Sequence, residues 1–324
     1  MRAITVHEFG DPEVMKLENV AEPAVQPGTV KVKIAAIGVN PVDTYIRSGV
    51  YAALPDLPYT PGGDAAGTIV EIGDGVGGLA VGDRVYLATI GVGSLTGAMA
   101  EYTVAVPDAV FALPDNTSFA QGAALGVPYA TAYFGVFLRG HARPGQSIFV
   151  HGASGSVGTA AVQMARAHGL TVIGSAGTDK GRQLVLDQGA HHVLDHLSDG
   201  YMDELRQLTG GNGPNLIIEM LANVNLAKDL DVVAKYGRIV VIGNRGEIQI
   251  NPRATMMKNL DVVGLALNNA TPEERRLIHA GLRAGLESGT LNPIIGREMS
   301  LDEAVAAHHA VLEPGAFGKI ILKP

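Results

Sequence analysis

The chain has 324 residues, more than one hydrophobic core ordinarily supports, so two domains are expected. Hydrophobic residues at 47% and charged residues at 17% fit a well-packed globular protein and exclude a disordered or fibrous chain. A net charge of −8 with no block of Lys or Arg argues against a nucleic-acid partner, and the lack of cysteine excludes disulfides, thiolate metal sites and Cys nucleophiles. The start, MRAITVHEFG, carries charges where a signal peptide would need an apolar core. Apolar runs such as 216–218 and 239–242 are too short to cross a bilayer, so a cytoplasmic location without a membrane partner is expected.

Up to about residue 125, short β-rich runs at 3–7, 30–36, 67–72, 83–87 and 100–106 alternate with Gly, Pro and Asp, which predicts a compact, barrel-like β domain. From Gln146 the rhythm changes. A strand over 147–150 leads to a helix over 158–168 closed by Gly169, a strand over 170–173 and a helix over 181–188 stopped by Gly189. Further strands are predicted at 192–195, 215–221, 238–242 and 261–267, with a helix over 202–208. Six strands alternating with helices predict an α/β, doubly wound parallel sheet, because parallel neighbours need helical crossovers. An amphipathic helix over 272–287, a helix over 301–312 and a strand over 319–322 follow. That strand lies beyond the doubly wound pattern and is expected to return to the first domain. The predicted division is a β-rich domain over 1–125, completed by about 268–324, and a dinucleotide domain over 126–267.

The most informative motif is Val150-His151-Gly152-Ala153-Ser154-Gly155-Ser156-Val157-Gly158, which follows a strand and opens a helix. On Rossmann spacing it reads Ala153-x-Gly155-x-x-Gly158, with Ala in the first glycine position. Gly155 lets backbone approach a pyrophosphate, Gly158 permits close helix–strand packing, and the helix start offers N–H groups to the anion. An ordinary Gly-rich turn is the rival, but five further strands favour a dinucleotide. An NAD-binding domain generally ends its second strand in Asp or Glu. Here the run is Ile173-Gly174-Ser175-Ala176-Gly177-Thr178, followed by Lys180 and Arg182. Room for a 2′-phosphate and nearby cations point to NADPH, although Asp179 opposes this and both cations read equally well as solvated helix-face charges.

The adjacent pairs His191/His192 and His308/His309 are not ready-made ligand sets, and residues 152–155 lack the G-x-S-x-G elbow. With no metal and no nucleophile, the cofactor carries the chemistry, and hydride transfer to an electron-poor π-system fits.

Asn40-Pro41-Val42-Asp43-Thr44-Tyr45-Ile46-Arg47-Ser48-Gly49, Pro58-Tyr59-Thr60-Pro61-Gly62, Gly82-Asp83-Arg84-Val85, the glycine turn, and the run Ile217-Ile218-Glu219-Met220-Leu221-Ala222-Asn223-Val224-Asn225-Leu226 resemble the zeta-crystallin and quinone oxidoreductase family of the medium-chain dehydrogenases/reductases. The likeness runs the length of the chain. It implies a GroES-like catalytic domain, a Rossmann domain, NADPH, ortho- or para-quinones as acceptors, and a homodimer or homotetramer. It also implies a zinc-free site, since in Pro61-Gly62-Gly63-Asp64-Ala65-Ala66-Gly67 glycine stands where related zinc alcohol dehydrogenases carry a ligand His. The implied cofactor contacts are Tyr45, Ser154, Gly155, Ser156, Val157, Gly177, His196, Asn225, Ile242, Gly243, Asn244, Arg245, Leu265, Ala266 and Leu267, with His196 also readable as a plain loop histidine. Candidate substrate contacts are Asn40, Tyr45, Tyr51, Tyr129 and Thr131, since tyrosine both hydrogen-bonds an oxygen and stacks on a ring. Packing alone is the competing explanation for Tyr51 and Tyr129. The loop over 88–98 is longer than the family's usual one. Reduction of a conjugated C=C in an enoyl or alkenal substrate, and a non-enzymatic structural or RNA-binding role, are the rivals to quinone reduction.

Overall fold

The computed structural model describes residues 1–89 and 96–324. Of the loop expected over 88–98, residues 90–95 therefore lie outside the described residues.

The chain opens with strands β1 (Arg2–Val6), β2 (Met15–Asn19) and β3 (Val30–Val39), helix α1 (Pro41–Arg47), then β4 (Asp64–Ile72), β5 (Arg84–Ala88), β6 (Tyr102–Ala105), β7 (Val110–Ala112) and α2 (Phe119–Gly122). Helix α3 (Ala130–Tyr133) precedes β8 (Ser147–Val150), α4 (Ser156–Ala167), β9 (Thr171–Ser175), α5 (Asp179–Asp187), β10 (His192–Leu194) and α6 (Tyr201–Leu208). Next come β11 (Leu216–Glu219), α7 (Ala222–Val232), β12 (Arg238–Val241), α8 (Arg253–Lys258) and β13 (Asp261–Gly264). Helix α9 (Pro272–Glu287), β14 (Ile295–Ser300), α10 (Ala304–Ala310) and β15 (Lys319–Lys323) close the chain. Two compact units result: Met1–Val127 with Arg283–Pro314 and Gly318–Pro324, and Pro128–Leu282 with Gly315–Phe317.

The first unit holds a seven-stranded sheet ordered β14-β15-β3-β4-β5-β7, with β6 also paired to β3. Strand β3 begins Val30-Lys31-Val32-Lys33-Ile34 and buries alternate residues, as a half-buried strand should. Its apolar face packs with Ile69, Leu87 and Met99, all fully buried. As expected from sequence, β15 returns here, antiparallel to β3 and parallel to β14. Helix α1, which periodicity did not announce, starts because Pro41 sits at its first turn and Asp43 Oδ2 accepts from the Asn40 amide (2.8 Å).

The second unit holds six parallel strands ordered β10-β9-β8-β11-β12-β13. Strands this deep read as continuous apolar runs, and Ile148, Phe149, Val150, Ile217 and Ile218 are all fully buried. The order reverses between β8 and β11, and ligands bind such sheets at that reversal, beyond the carboxyl ends of the strands. Three details differ from the sequence expectation. Strand β13 stops at Gly264, because Leu267–Asn269 turns into a short 3-10 helix. Helix α7 follows β11 directly. The second unit keeps α9 through Leu282 rather than ending near 267, because Ile278 and Leu282 are fully buried and Gly281 makes way for the ring of Tyr133.

Candidate dinucleotide site

The turn after β8 is built for close approach. Gly152 adopts φ +55°, a left-handed conformation that glycine takes at no steric cost. The turn is pinned to the neighbouring strands: the His151 amide donates to the Ile218 carbonyl (3.1 Å) and the Ala153 amide to the Ser175 carbonyl (2.8 Å). At Gly158 a Cβ would lie 2.5 Å from Ala153 Cα and from the Gly152 carbonyl oxygen, so only glycine lets α4 start against β8. At Gly155, the N-cap of α4, a Cβ would meet nothing nearer than 3.5 Å. That open cradle, bordered by the first-turn amides of a twelve-residue helix with no acidic residue in its first turn, suits a pyrophosphate.

At the end of β9 no carboxylate faces the turn. Asp179 opens α5 with its side chain turned to solvent, and it pairs with Arg182. Arg182 also bridges to Asp195 at 2.8 Å, so its guanidinium is held by two carboxylates. Lys180 has a different setting: its ammonium lies 4.1 Å from the centre of the Phe317 ring. The segment around Phe317 reaches the glycine turn as well, where Ser154 Oγ donates to the Ala316 carbonyl (2.7 Å). Thr178 caps α5 by accepting from the Gly181 amide (3.0 Å). His196 stands over Gly177, where a Cβ would come within 3.0 Å of its Nε2. Partial burial holds the His196 imidazole below its usual pKa, so it is a neutral neighbour.

The remaining candidates of this unit fall at the same sheet edge. Asn225 Nδ2 donates to Glu219 Oε1 (3.3 Å) just beyond β11. Ile242, Gly243, Asn244 and Arg245 follow β12. There the Ile242 amide donates to the Glu219 carbonyl (2.9 Å) and the Arg245 amide to Asn223 Oδ1 (3.0 Å). Leu265, Ala266 and Leu267 follow β13, with the Leu265 amide donating to the Val241 carbonyl (2.9 Å). The carboxyl ends of all six strands thus gather the sequence-predicted cofactor contacts of this unit. Tyr129 and Thr131 also belong to it but are buried, and the Tyr129 hydroxyl donates to Gln163 Oε1 (3.0 Å). Packing accounts for both.

In the first unit Tyr45 lies on α1 and Tyr51 just beyond it, both half-buried. Asn40 is buried, and its amide is fully engaged: Nδ2 donates to Asp64 Oδ2 (3.0 Å) and Oδ1 accepts from Lys319. Lys319 and Asp64 are themselves buried, 3.4 Å apart. Asn40 is therefore a structural tie rather than a side chain free to bind substrate.

Sequence reasoning missed Phe317, Glu219 and Asp229. For Glu219 the signal was present, a carboxylate inside the apolar run Leu216-Ile217-Ile218-Glu219-Met220-Leu221. Among the described residues one trio of metal-ligating types lies together, His151, Glu219 and Asp229. His151 Nε2 is hydrogen-bonded to Asp229 Oδ1 (2.8 Å) and lies 3.2 Å from Glu219 Oε2. With no cysteine in the chain and glycine in the 61–67 run of the first unit, the donor set does not fit a zinc of the dehydrogenase kind.

Two family models match, the alcohol dehydrogenase GroES-like domain over residues 26–115 and the zinc-binding dehydrogenase model over 156–281. The quinone oxidoreductase of Homo sapiens is 46% identical over 324 residues, covering 99% of this chain and 97% of the human protein. The chain belongs to the zeta-crystallin and quinone oxidoreductase family. Its fold superposes on a quinone oxidoreductase of Escherichia coli complexed with NADPH at a TM-score of 0.88, with 29% identity and 100% of both chains covered. An NAD-dependent alcohol dehydrogenase superposes at 0.92 with 27% identity, again over 100% of both chains, so the architecture alone does not set the nucleotide. Within the zeta-crystallin and quinone oxidoreductase family, the zinc in the second model's name is not matched by ligands here.

Proposed function

We propose that this protein is a zinc-independent NADPH:quinone oxidoreductase. The observation that carries the reading is the 46% identity to the human quinone oxidoreductase across 99% of the chain, joined to an open glycine cradle and a second strand end without a carboxylate. NADPH supplies the hydride equivalent. The protein binds and orients it: the amides at the start of α4 face the pyrophosphate, and Thr178 and Lys180 face the 2′-phosphate. Tyr45 and Tyr51 are the proposed quinone contacts, able to stack on the ring and donate to its oxygens. Conjugation in a quinone already stabilises the arriving charge, so no strong acid is required. Incubation with NADPH should give rapid turnover of 9,10-phenanthrenequinone and little of a 2-enoyl thioester. The reverse preference would assign the protein to C=C reduction.

Among the described residues no helix is long and apolar enough to cross a membrane, and a cytoplasmic location is the proposal that goes with this. A homo-oligomer is proposed from the outer edge of β13, which among the described residues pairs with no strand on that side and exposes Val262. Met256 and Met257 on neighbouring α8 are each 72% exposed, an apolar surface suited to a second copy.

A further inference from the structure

Behind the glycine turn lies a group of ionisable side chains that nothing in the hydride chemistry uses. His151 is 3% exposed, and Glu219 and Asp229 are fully buried. They come from three elements that meet at the sheet reversal: the end of β8, the end of β11 and the middle of α7. His151 Nε2 lies 2.8 Å from Asp229 Oδ1 and 3.2 Å from Glu219 Oε2, while Glu219 Oε1 accepts from the Leu221 amide and from Asn225 Nδ2. The other oxygens, Glu219 Oε2 and Asp229 Oδ2, have no donor of their own. Two carboxyl groups buried around one imidazole nitrogen, each with an oxygen lacking a donor, would both be satisfied by a single proton held between them.

We propose that His151, Glu219 and Asp229 are positioning residues that hold the glycine turn ready for the pyrophosphate, and that they do so with one proton shared by the two carboxyl groups. The proposal rests on the turn being the pyrophosphate seat. The linkage is direct, because His151 precedes Gly152 in the chain and Glu219 anchors the Leu221–Asn225 segment on the opposite side of the reversal. With the proton in place the cluster carries one negative charge. Without it, two charges face each other in a low-dielectric interior, the carboxyl groups separate, and a second negative charge stands behind a turn that must accept an anion. Burial pushes both Glu219 and Asp229 up to about 7 and holds His151 below its usual range, so the proton leaves near neutral pH while His151 stays uncharged. The other groups facing the cluster are Lys228 on α7, Tyr201 on α6 and His196 beyond β10. Neither Tyr201 nor His196 changes charge in this interval: burial raises Tyr201 to about 12 and holds the His196 imidazole neutral.

The test is isothermal calorimetry of NADPH with the full chain between pH 6 and 8.5, in two buffers of different ionisation enthalpy. At pH 8 the protein should take up protons on binding NADPH, and Kd should rise with pH by up to about tenfold per unit above 7. The nucleotide's own 2′-phosphate, with its pKa near 6, releases protons when bound as the dianion, so its contribution has the opposite sign. Glu219→Gln, whose amide can donate permanently to Asp229, should abolish the uptake and flatten the slope, whatever its affinity at pH 6. A parent protein that binds NADPH without proton uptake at pH 8 would overturn the proposal even if the variant failed to fold. So would a folded Glu219→Gln protein that kept the parent's slope. Undiminished NADPH binding by a folded Gly155→Val protein would refute the seat itself, an outcome distinguishable from both.

Discussion

Residues that look alike in sequence part company once their neighbours are known. Lys180 and Arg182 both follow the second strand of the doubly wound sheet, yet Arg182 is held by Asp179 and Asp195, whereas among the described residues Lys180 pairs with no carboxylate and faces the Phe317 ring. An aromatic face positions an ammonium without neutralising it, so Lys180 remains available to an incoming phosphate. A charge-assisted contact of this kind contributes about 1.5–3 kcal/mol. Lys180→Met should therefore raise the Kd for NADPH at least about tenfold and leave NADH binding unchanged, by fluorescence titration. An equal loss for both nucleotides would remove Lys180 from the 2′-phosphate site. No periodicity or spacing revealed this division, because the carboxylate that holds Arg182 at 2.8 Å lies just past the end of the next strand. The same holds for His151 and Asp229, which meet across 78 positions of sequence.

At the scale of elements, the six parallel strands were legible because buried runs such as Ile148-Phe149-Val150 are bounded by Gly and polar turns. The glycine turn was legible for a stricter reason, since the contact at Gly158 tolerates no side chain. Helices α1 and α7 were not, as one is a seven-residue capped turn and the other starts immediately after a strand. The return of β15 to the first sheet was expected, but what it carries was not. Lys319 brings a buried ammonium to Asp64 and Asn40. Burial pushes the Asp64 carboxyl up and the Lys319 ammonium down, and each opposes the other's shift. Lys319→Met would leave Asp64 buried without its cation and should cost about 3–5 kcal/mol in urea unfolding at pH 7.5. The loss should shrink as pH falls, because a protonated Asp64 needs no counter-charge. A loss under about 1 kcal/mol would mean that the pair is well solvated despite its burial.

For the molecule as a whole, family membership accounts for the two large sheets, and the comparisons extend over nearly the whole chain. The exposed edge of β13 is the feature that a lone protomer explains least well. If the proposed pairing forms, a Val262→Pro substitution on that edge removes one amide donor and should yield monomers by light scattering while the six-stranded sheet persists by circular dichroism. A parent protein that is already monomeric at micromolar concentration would remove the proposed pairing.

The most direct measurement is a paired equilibrium titration of the full chain with NADPH and NADH at pH 7 and fixed ionic strength. With Lys180 and Thr178 at a second strand end that lacks a carboxylate, NADPH should bind at least about tenfold more tightly than NADH, a difference of about 1.4 kcal/mol. Equal affinities, or tighter binding of NADH, would contradict the reading of that strand end as a 2′-phosphate site.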